Sequence, residues 1–430
     1  MQKLLLSEKI SSLWEGRQKY KHTTGWFGFG IGLLEILGLL ASLALIFAMV
    51  IKKTGIGVAL LAGSIVLGLL SLKPPGFAEV AAQAVLDRKT FELTAAVALI
   101  ALLGAIYRVT GLLEELSRGL RRALPSDKLV VELIPAIFGL LPVLGGALMS
   151  APVVDAVGDD LGLNSEEKTF LNLWFRHVVF FIYPVGTTFL LASYLAGIEV
   201  KPLILVQLPV FITSILAGHA IWLITEVEES KKDVESPFSK RELGKAIFPI
   251  LLVASFGVIR RWLIIVGVLL SIAFLAIVRG LELETFRRAL REARLLEMIL
   301  VGIGVMVYRA VVEASGVTNM VASFIGGSSV PRVLLLILIP TILGFTLGTP
   351  TGTIALSIPL LSNLISIGAF ETGLILTCSI LGYVVSPLHA CYTLTSEYFG
   401  ASMLKVYMYL IPVTALTILS SATILVLFHA

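Results

Sequence analysis

The chain has 430 residues, of which 57% are hydrophobic and only 14% are charged, and its mean hydropathy is +0.96. Soluble domains carry about 25% charged residues, so this composition excludes a soluble globular protein and indicates a polytopic protein of the lipid bilayer. The net charge of +4 comes from residues in loops between apolar runs, which excludes nucleic acid as a partner and fits membrane topology. With only two cysteines, Cys378 and Cys391, the sequence predicts neither a disulfide scaffold nor a cysteine-based metal site.

The N-terminal region, residues 1–30, is a polar and basic tail that precedes the first apolar run. Its apolar residues are spaced to form one face of an interfacial helix; they are Leu4, Leu5, Leu6, Ile10, Leu13 and Trp14. A tail without such a helix fits the same residues equally well.

The uninterrupted apolar runs that follow predict plain transmembrane helices. A membrane span requires about 20 apolar residues, or fewer inside a bundle. The predicted spans are 31–51, 55–72, 94–110, 202–225, 246–259, 262–279, 295–312 and 404–428. Residues 77–91 and 279–297 mix apolar and charged residues at helical spacing and predict amphipathic helices at the membrane interface.

Four other apolar segments are interrupted near the middle by Pro, Gly or Thr; they are 129–158, 168–198, 332–365 and 371–399. Every backbone group needs a hydrogen-bond partner inside a bilayer, so non-helical backbone persists there only where it faces protein or a water-filled cavity. Residues 141–146 and 348–353 therefore predict the tips of two re-entrant hairpins, each of which enters and leaves on one side. The interruptions at 183–184 and 386–387 predict broken transmembrane helices that face those tips.

The same landmarks occur twice along the chain, in residues 31–225 and again in residues 244–428. A basic turn, a Tyr-Arg pair, an Ile-Pro pair and the interruptions follow one another at nearly constant spacing. The matching pairs are Lys52-Lys53 with Arg260-Arg261, Tyr107-Arg108 with Tyr308-Arg309, Ile134-Pro135 with Ile339-Pro340, and Tyr183-Pro184 with Ser386-Pro387. Two repeats of interrupted hydrophobic segments are typical of secondary transporters whose site lies at the repeat interface.

The repeats also predict the membrane topology. Each has an odd number of crossings, so the second copy is inserted upside down. The predicted fold is all-α and polytopic, with two inverted repeats of five transmembrane helices, each repeat having one re-entrant hairpin and a broken helix facing it. Lys and Arg are enriched in cytoplasmic loops, and the richer side includes the linker 226–243. This predicts a plasma or inner membrane protein with both termini outside, whereas the basic tail favours the opposite orientation.

Polar groups near the interruptions predict the binding site. Broken helices expose N–H groups that suit an anion and carbonyl groups that suit Na⁺. The candidate substrate-binding residues are Gly145, Gly146, Ser150, Asn172, Arg176, His177, Thr187, Thr349, Thr351, Thr353, Ser386 and His389. The candidate residues for a coupling ion are Asp155, Thr188, Gly348, Gly352, Thr377 and Thr393. For any single Ser or Thr, a hydrogen bond to its own helix is an equally good interpretation.

The pair Arg176-His177 lies a few residues before the first broken-helix interruption. An intramembrane Arg costs several kcal/mol unless it is paired or hydrated, and its planar guanidinium matches a carboxylate. An ion pair with an aspartate among residues 155–160 is the structural alternative. His389, after the second interruption, is a candidate proton carrier, with a hydrogen-bonded buried histidine as the alternative.

Four short stretches carry a family resemblance: GGALMSAP at 145–152, NLWFRH at 172–177, SPLH at 386–389 and EYF at 397–399. They resemble domain-of-unknown-function family 401 over about residues 31–428, and that family is similar to members of the ion transporter superfamily. The resemblance implies a scaffold domain, a mobile transport domain with two hairpins, an elevator-type movement and a homodimer. Divalent-anion symporters of that superfamily have Ser-Asn-Thr at each tip, a signature that this chain lacks.

The sequence therefore predicts a secondary active transporter of a small organic anion, with a carboxylate as the expected class. Na⁺ or H⁺ is the expected coupling ion, and no other cofactor is expected. A cation/proton antiporter of the same superfamily is the first alternative, and it would use Asp155 as the exchanging carboxylate. A membrane-embedded enzyme is a remote alternative, since neither Gly-x-Ser-x-Gly nor His-Glu-x-x-His occurs in the sequence.

Overall fold

The computed structural model describes residues 27–112, 126–140, 146–225, 240–317, 331–362 and 364–429, together with isolated positions between 115 and 124. Within these ranges every regular element is a helix. The tip at 141–145, including Gly145, and nearly all of the predicted tail and linker lie outside the described residues.

The first half of the chain forms eight helices with described bounds. They are α1 (Phe27–Ile51), α2 (Ile56–Leu86), α3 (Arg88–Val109), α4 (Asp127–Gly139), α5 (Gly146–Asp160), α6 (Ser165–Val178), α7 (Thr187–Ala196) and α8 (Val200–His219). Short 3₁₀ turns extend α6 through Val179–Phe181 and α8 through Ala220–Leu223.

The second half forms nine helices with described bounds. Its helices are α9 (Lys240–Ile259), α10 (Ile264–Arg279), α11 (Leu283–Glu292), α12 (Leu295–Ser315), α13 (Arg332–Leu347), α14 (Pro350–Leu361), α15 (Ala369–Val384), α16 (Ala390–Phe399) and α17 (Met403–His429). A 3₁₀ turn, Arg261–Leu263, precedes α10. We refer to α4 with α5 as hairpin 1 and to α13 with α14 as hairpin 2.

The predicted all-α, polytopic class is confirmed, and each plain span coincides with a helix. Seven of the described helices are long and apolar enough to cross a membrane, namely α1, α2, α3, α8, α10, α12 and α17. The span predicted at 246–259 is the apolar part of α9 and is shorter. Two helices begin before their predicted spans, α1 at Phe27 and α9 at Lys240.

The amphipathic segment predicted at 77–91 lies in the second helical run of α2, which a kink separates from the first run and which ends at Leu86. The helical run of α2 continues to Leu86, but it bends at Lys73, which has φ 61° and ψ 161° and precedes Pro74 and Pro75. Because a residue before proline is pushed out of the α region, the first helical run of α2 ends at this kink. The second predicted amphipathic helix is α11, which begins a few residues later and ends a few residues earlier than predicted.

The helices pack into two bundles, and each bundle contains helices from both halves of the chain. In the first bundle, α2 packs on α1 and α12, α9 packs on α10, and α3 contacts α10, α11 and α12. In the second bundle, hairpin 1 packs on α6 and α16, and hairpin 2 packs on α7 and α15, while α8 and α17 pack on each other and on α15. Contacts between the bundles involve α12 with α14, α3 with α7, α8 with α9 and α1 with α13.

Candidate functional site

The tip of hairpin 2 is a tight turn whose residues suit their positions. Helix α13 ends at Leu347, and Gly348 caps it in the left-handed conformation with φ 60°. Glycine is the residue that adopts this cap at little cost. Thr349 is extended, and Pro350 opens α14 at the first helical position, where its missing N–H costs nothing. The N-terminal N–H groups of α14 are therefore presented at the tip.

Two helix interruptions lie in the second bundle, break 1 at residues 182–186 and break 2 at residues 385–389. Break 2 is joined to hairpin 2, because the Ser386 hydroxyl donates a hydrogen bond of 2.5 Å to the Phe345 carbonyl. The tip itself touches break 2, since a Cβ placed on Gly348 would lie 2.7 Å from Cβ of Leu388. His389 is the N-cap residue of α16. The N-termini of α14 and α16 thus lie next to the contact between hairpin 2 and break 2.

A buried hydrogen-bond network centred on Asn172 connects elements of both halves. The Ser150 hydroxyl on α5 donates to Asn172 Oδ1 on α6 at 2.6 Å. Asn172 Nδ2 donates to the Ala147 carbonyl at 3.0 Å and lies 3.4 Å from Oγ1 of Thr395 on α16. Asn172, Ser150 and Thr395 are all fully buried. Hairpin 1, α6 and α16 are therefore held together by polar contacts.

A cluster of rings lies where α6 meets break 2. The His177 and His389 ring centroids are 4.7 Å apart, and the Tyr383 ring lies 3.7 Å from that of His389. One possible ligand atom from each of His177, His389 and Cys391 lies within 4.8 Å of the others. Each His Nδ1 faces a backbone carbonyl, Leu173 at 2.6 Å for His177 and Val384 at 3.4 Å for His389.

Arg176 is adjacent to this cluster and only 3% exposed. Its backbone is in close contact with hairpin 1, because a Cβ on Gly139 at the end of α4 would lie 2.1 Å from the Arg176 carbonyl oxygen. Only glycine permits this approach. Asp155 and Asp159, two of the three aspartates considered from the sequence as partners of Arg176, are both bound by Lys168 Nζ, at 2.8 and 2.5 Å.

The structure brings part of the predicted site together. Gly348, Ser386 and His389 meet at break 2, and Ser150, Asn172, Arg176 and His177 lie on the adjoining hairpin 1 and α6. Thr349, Thr351, Thr353 and Gly352 occupy the tip and first turn of α14, while Thr187 and Thr188 begin α7 after break 1, and Gly146 begins α5. The hydroxyls of Thr353 and Thr393 form the local hydrogen bonds that were the alternative interpretation for single Ser and Thr residues. They donate to the Thr349 and His389 carbonyls respectively.

Two candidates for the coupling ion lie away from the breaks. Thr377 exchanges hydrogen bonds with Gln207 on α8 and accepts one from Ser421 on α17. It lies seven residues before the end of α15, roughly 10 Å along the helix axis. Asp155 is bound to Lys168, which is nine residues before His177 and roughly 13 Å from it along α6.

Sequence reasoning missed three polar residues that the fold places at the site, and one buried acidic residue elsewhere on hairpin 1. Tyr383, Cys391 and Thr395 contact His389, His177 or Asn172, and no local pattern marks them. Glu132 on α4 is 4% exposed and accepts hydrogen bonds from Trp222 Nε1 and His219 Nδ1 at 2.5 and 2.8 Å. An acidic residue inside an apolar hairpin was the available signal for Glu132.

A cavity of about 880 Å³ borders hairpin 2. It is lined by the turn around Lys53 and Gly55, by the start of α12 from Arg294 to Leu300, and by Thr349 at the tip. Break 1 has different surroundings, because Tyr183 and Val185 enclose only about 10 Å³ with residues of α3 and α9. One tip thus faces an open space, whereas the break in the other half is packed against the first bundle.

The long apolar helices, together with buried polar groups gathered at helix interruptions, define a multi-pass α-helical membrane protein. The chain belongs to the family described as "Protein of unknown function (DUF401)", which it matches over residues 34–428. The family resemblance predicted from four short stretches is therefore confirmed.

Among solved structures, the fold is similar to the crystal structure of the Alcanivorax borkumensis YdaH transporter, whose topology is described as unusual. The TM-score is 0.57 and the sequence identity 12%, over 89% of this chain and 97% of that chain. At this identity the similarity shows a shared fold. No curated protein matches the chain significantly.

Proposed function

We propose that this protein is a secondary active transporter of a small organic anion that carries a carboxylate group. The observation that carries the proposal is the meeting of buried polar side chains from both halves beside the breaks, where Asn172 joins Ser150 to Thr395 and His177 contacts His389. Midplane sites built from interrupted helices of two repeats are typical of secondary transporters. The fold shared with a protein described as a transporter supports the same conclusion.

Arg176 is the proposed anchor for the carboxylate. Its guanidinium is buried beside the His177–His389 contact, and its planar fork can form two parallel hydrogen bonds with a carboxylate. The N-termini of α14 and α16 add partial positive charge near break 2. These groups supply what an organic anion requires, whereas hydroxyls and carbonyl ends at the breaks supply oxygen ligands for Na⁺.

Movement of the second bundle against the first is the proposed route to alternating access. Each bundle contains helices from both halves of the chain, as expected for inverted repeats with re-entrant hairpins. The cavity beside Thr349 opens next to the basic Lys52-Lys53 turn, which the charge distribution assigns to the cytoplasm. We therefore infer that the structure represents an inward-open state. Assembly into a homodimer remains a prediction from the family resemblance.

Cation coupling follows from the charge of the substrate. Moving one elementary charge across 100 mV is worth about 2.3 kcal/mol, and an inside-negative membrane repels an anion. One co-transported Na⁺ or H⁺ removes that cost for a monovalent anion, and a second cation drives accumulation. No cofactor beyond the coupling ion enters the proposal.

A thermal-stability screen of the purified protein tests the proposal. Gluconate, citrate, succinate, lactate and amino acids are compared in Na⁺, K⁺ and choline at two pH values. A ligand at 100 times its Kd stabilises the folded state by about 2.7 kcal/mol, so the substrate raises Tm. We expect one carboxylate to do so in a manner that depends on Na⁺ or pH, and the Arg176→Gln variant to lose this shift.

The same screen separates the proposal from cation/proton exchange. A shift of Tm with Na⁺ or pH alone, and with no anion tested, contradicts anion transport and favours the antiporter. In that case Asp155→Asn and Glu132→Gln identify the exchanging carboxylate. Since Asp155 is already bound to Lys168, we expect Asp155→Asn to leave transport intact.

A further inference from the structure

We propose that His177, His389 and Cys391 form a binding site for a transition-metal ion such as Zn²⁺. One ligand atom of each residue lies within 4.8 Å of the other two. Imidazole and thiolate are ligands that Zn²⁺ and related ions prefer over the alkali and alkaline-earth ions. The inference does not depend on the proposed transport of an anion.

The hydrogen bonds of the two imidazoles orient them as metal ligands. Nδ1 of His177 lies 2.6 Å from the Leu173 carbonyl, and Nδ1 of His389 lies 3.4 Å from the Val384 carbonyl. A carbonyl only accepts, so Nδ1 carries the proton in each neutral ring and Nε2 keeps its lone pair. This arrangement, with Nδ1–H bound to a backbone carbonyl, is the usual outer shell of a metal-bound histidine.

His389 Nε2 provides an independent observation that points to a ligand. The residue is fully buried, and within the described structure this nitrogen has no hydrogen-bond partner. A buried polar atom without a partner costs about 1–3 kcal/mol. A metal ion that accepts the lone pair removes this cost, and the Tyr383 ring at 3.7 Å holds the imidazole in place.

The spacing fits a metal after a small contraction. Bond lengths of about 2.0–2.1 Å to nitrogen and 2.3 Å to sulfur place tetrahedral ligand atoms roughly 3.3–3.7 Å apart. The present spacing of up to 4.8 Å therefore requires a shift of about 1 Å. Cys391 is partly exposed and lies in the first turn of α16, after the exposed Leu388, so the protein does not close the site on this side.

Charge is the main factor opposing a cation here. Arg176 directly precedes His177 and is only 3% exposed, so its positive charge lies beside the site. Metal binding deprotonates the thiol, so the Cys391 thiolate compensates one charge of the ion. Three protein ligands leave one position open, as in zinc sites that bind water or another anion, and Arg176 favours an anion at that position.

Cobalt titration of the purified full-length protein tests the site. Co²⁺ bound to a thiolate gives a charge-transfer absorption band in the near ultraviolet, which nitrogen and oxygen ligands do not give. We expect one Co²⁺ per chain with this band, and displacement by Zn²⁺. The Cys391→Ser variant should lose the band and bind at least about tenfold more weakly, and His389→Ala should weaken binding similarly. Cys378→Ser, which removes the other, buried cysteine, should retain the band.

The inference is overturned if the wild-type protein gives no thiolate band at equimolar Co²⁺, or if the band survives Cys391→Ser. Should a Cys391 variant misfold, a labelling experiment on the Cys378→Ser background replaces it. Zn²⁺ should then slow maleimide labelling of Cys391 by at least tenfold, and an unchanged labelling rate rejects the site. Neither readout uses transport, so a metal result and an anion result remain separable.

Discussion

Arg176 is the residue on which anion binding most depends. It is 3% exposed and directly precedes His177, whose ring contacts that of His389. Hydrogen bonds to charged groups contribute about 1.5–3 kcal/mol each, so Arg176→Gln should weaken binding of the anion identified by the thermal screen roughly 10- to 100-fold. Arg176→Lys should lose most of this affinity too, because an ammonium cannot make the bidentate contact. Isothermal titration measures the change.

Arg309→Lys is the matched control for Arg176→Lys. Arg309 lies on α12 in the first bundle, where it pairs with Glu313 one helical turn away. Its replacement should leave affinity within twofold of wild type. Equal affinities for wild type and Arg176→Gln would show that the guanidinium does not bind the anion.

We predict that Asn172 stabilises the folded protein as well as contributing to the binding site. Asn172→Ala leaves the buried Ser150 hydroxyl and the Ala147 carbonyl without this partner. Each buried group that loses its hydrogen bond costs about 1–3 kcal/mol, so Tm should fall clearly in a thermal melt.

A double-mutant cycle with Ser150→Ala isolates the contact between Ser150 and Asn172. Residues in one hydrogen-bond network show interaction energies of about 0.5–3 kcal/mol, so the double variant should be more stable than the sum of single losses indicates. Strict additivity would mean that the two side chains do not interact in the folded protein.

At the scale of an element, the turn of hairpin 2 depends on Gly348. Its φ of 60° disfavours any other residue, and an added Cβ would lie 2.7 Å from Leu388 Cβ and 2.9 Å from the Leu388 carbonyl carbon. The left-handed conformation alone costs a non-glycine residue about 1–2 kcal/mol. Gly348→Ala should therefore destabilise the protein and also separate the tip from break 2, lowering affinity for the anion.

The Gly197→Ala variant separates the conformational cost of replacing a left-handed glycine from the effect of the clash with Leu388. Gly197 has φ 73°, but a Cβ there meets nothing within 4 Å, so it carries the conformational cost without a clash. Thermal melts should place Gly348→Ala below Gly197→Ala, and only Gly348→Ala should alter ligand affinity. Identical behaviour of the two variants would show that the contact between tip and break has no role.

The elements themselves were predictable because their signals are local. Pro and Gly within apolar runs predicted the interruptions, and the Gly348-Thr349-Pro350 turn forms where the sequence places it. The helix ends were less predictable. Helix α2 runs through Pro74 and Pro75 after a kink at Lys73, because proline is tolerated in the first turn of the helix that follows.

The partners of the candidate residues were not predictable, since they arise from packing between distant segments. Asp155 is an intramembrane carboxylate by sequence, yet Lys168 on the next helix neutralises it. Cys391 looked like an isolated cysteine, but the fold brings it to two histidines, one of which lies on α6. Periodicity predicts which face of a helix is apolar and says nothing about which residues meet across an interface.

At the scale of the whole molecule, the division into two bundles predicts which contacts change during transport. Contacts within a bundle should persist, whereas contacts between bundles should break and re-form. Gly352 on hairpin 2 provides such a contact with the first bundle, because a Cβ there would lie 2.9 Å from Cδ1 and 3.3 Å from Cγ1 of Ile56 on α2. This contact lies beside the open cavity that reaches Thr349.

A disulfide across this contact should stop transport and preserve binding. In the double variant Ile56→Cys, Gly352→Cys, the first change removes the side chain that a Cβ at position 352 would meet, and the two Cβ atoms come within reach of a disulfide. Oxidation should abolish uptake of the identified anion into proteoliposomes, and a reducing agent should restore it. Titration of the oxidised protein should still detect the anion, because the breaks and Arg176 stay within the second bundle.

The matched control is a disulfide inside the first bundle, with Thr94→Cys on α3 and Gly302→Cys on α12. A Cβ at Gly302 would lie 3.0 Å from Cβ and 2.8 Å from Cα of Thr94, so the two helices must separate by at least about 0.5 Å for the bond to form, and its oxidation should leave uptake near the reduced rate. Mass spectrometry of the linked peptides verifies both bonds. If the oxidised 56–352 variant transports as fast as the reduced one, the second bundle does not move past α2. An elevator movement is then wrong for this protein, and access must change within the second bundle, through hairpin 2 itself.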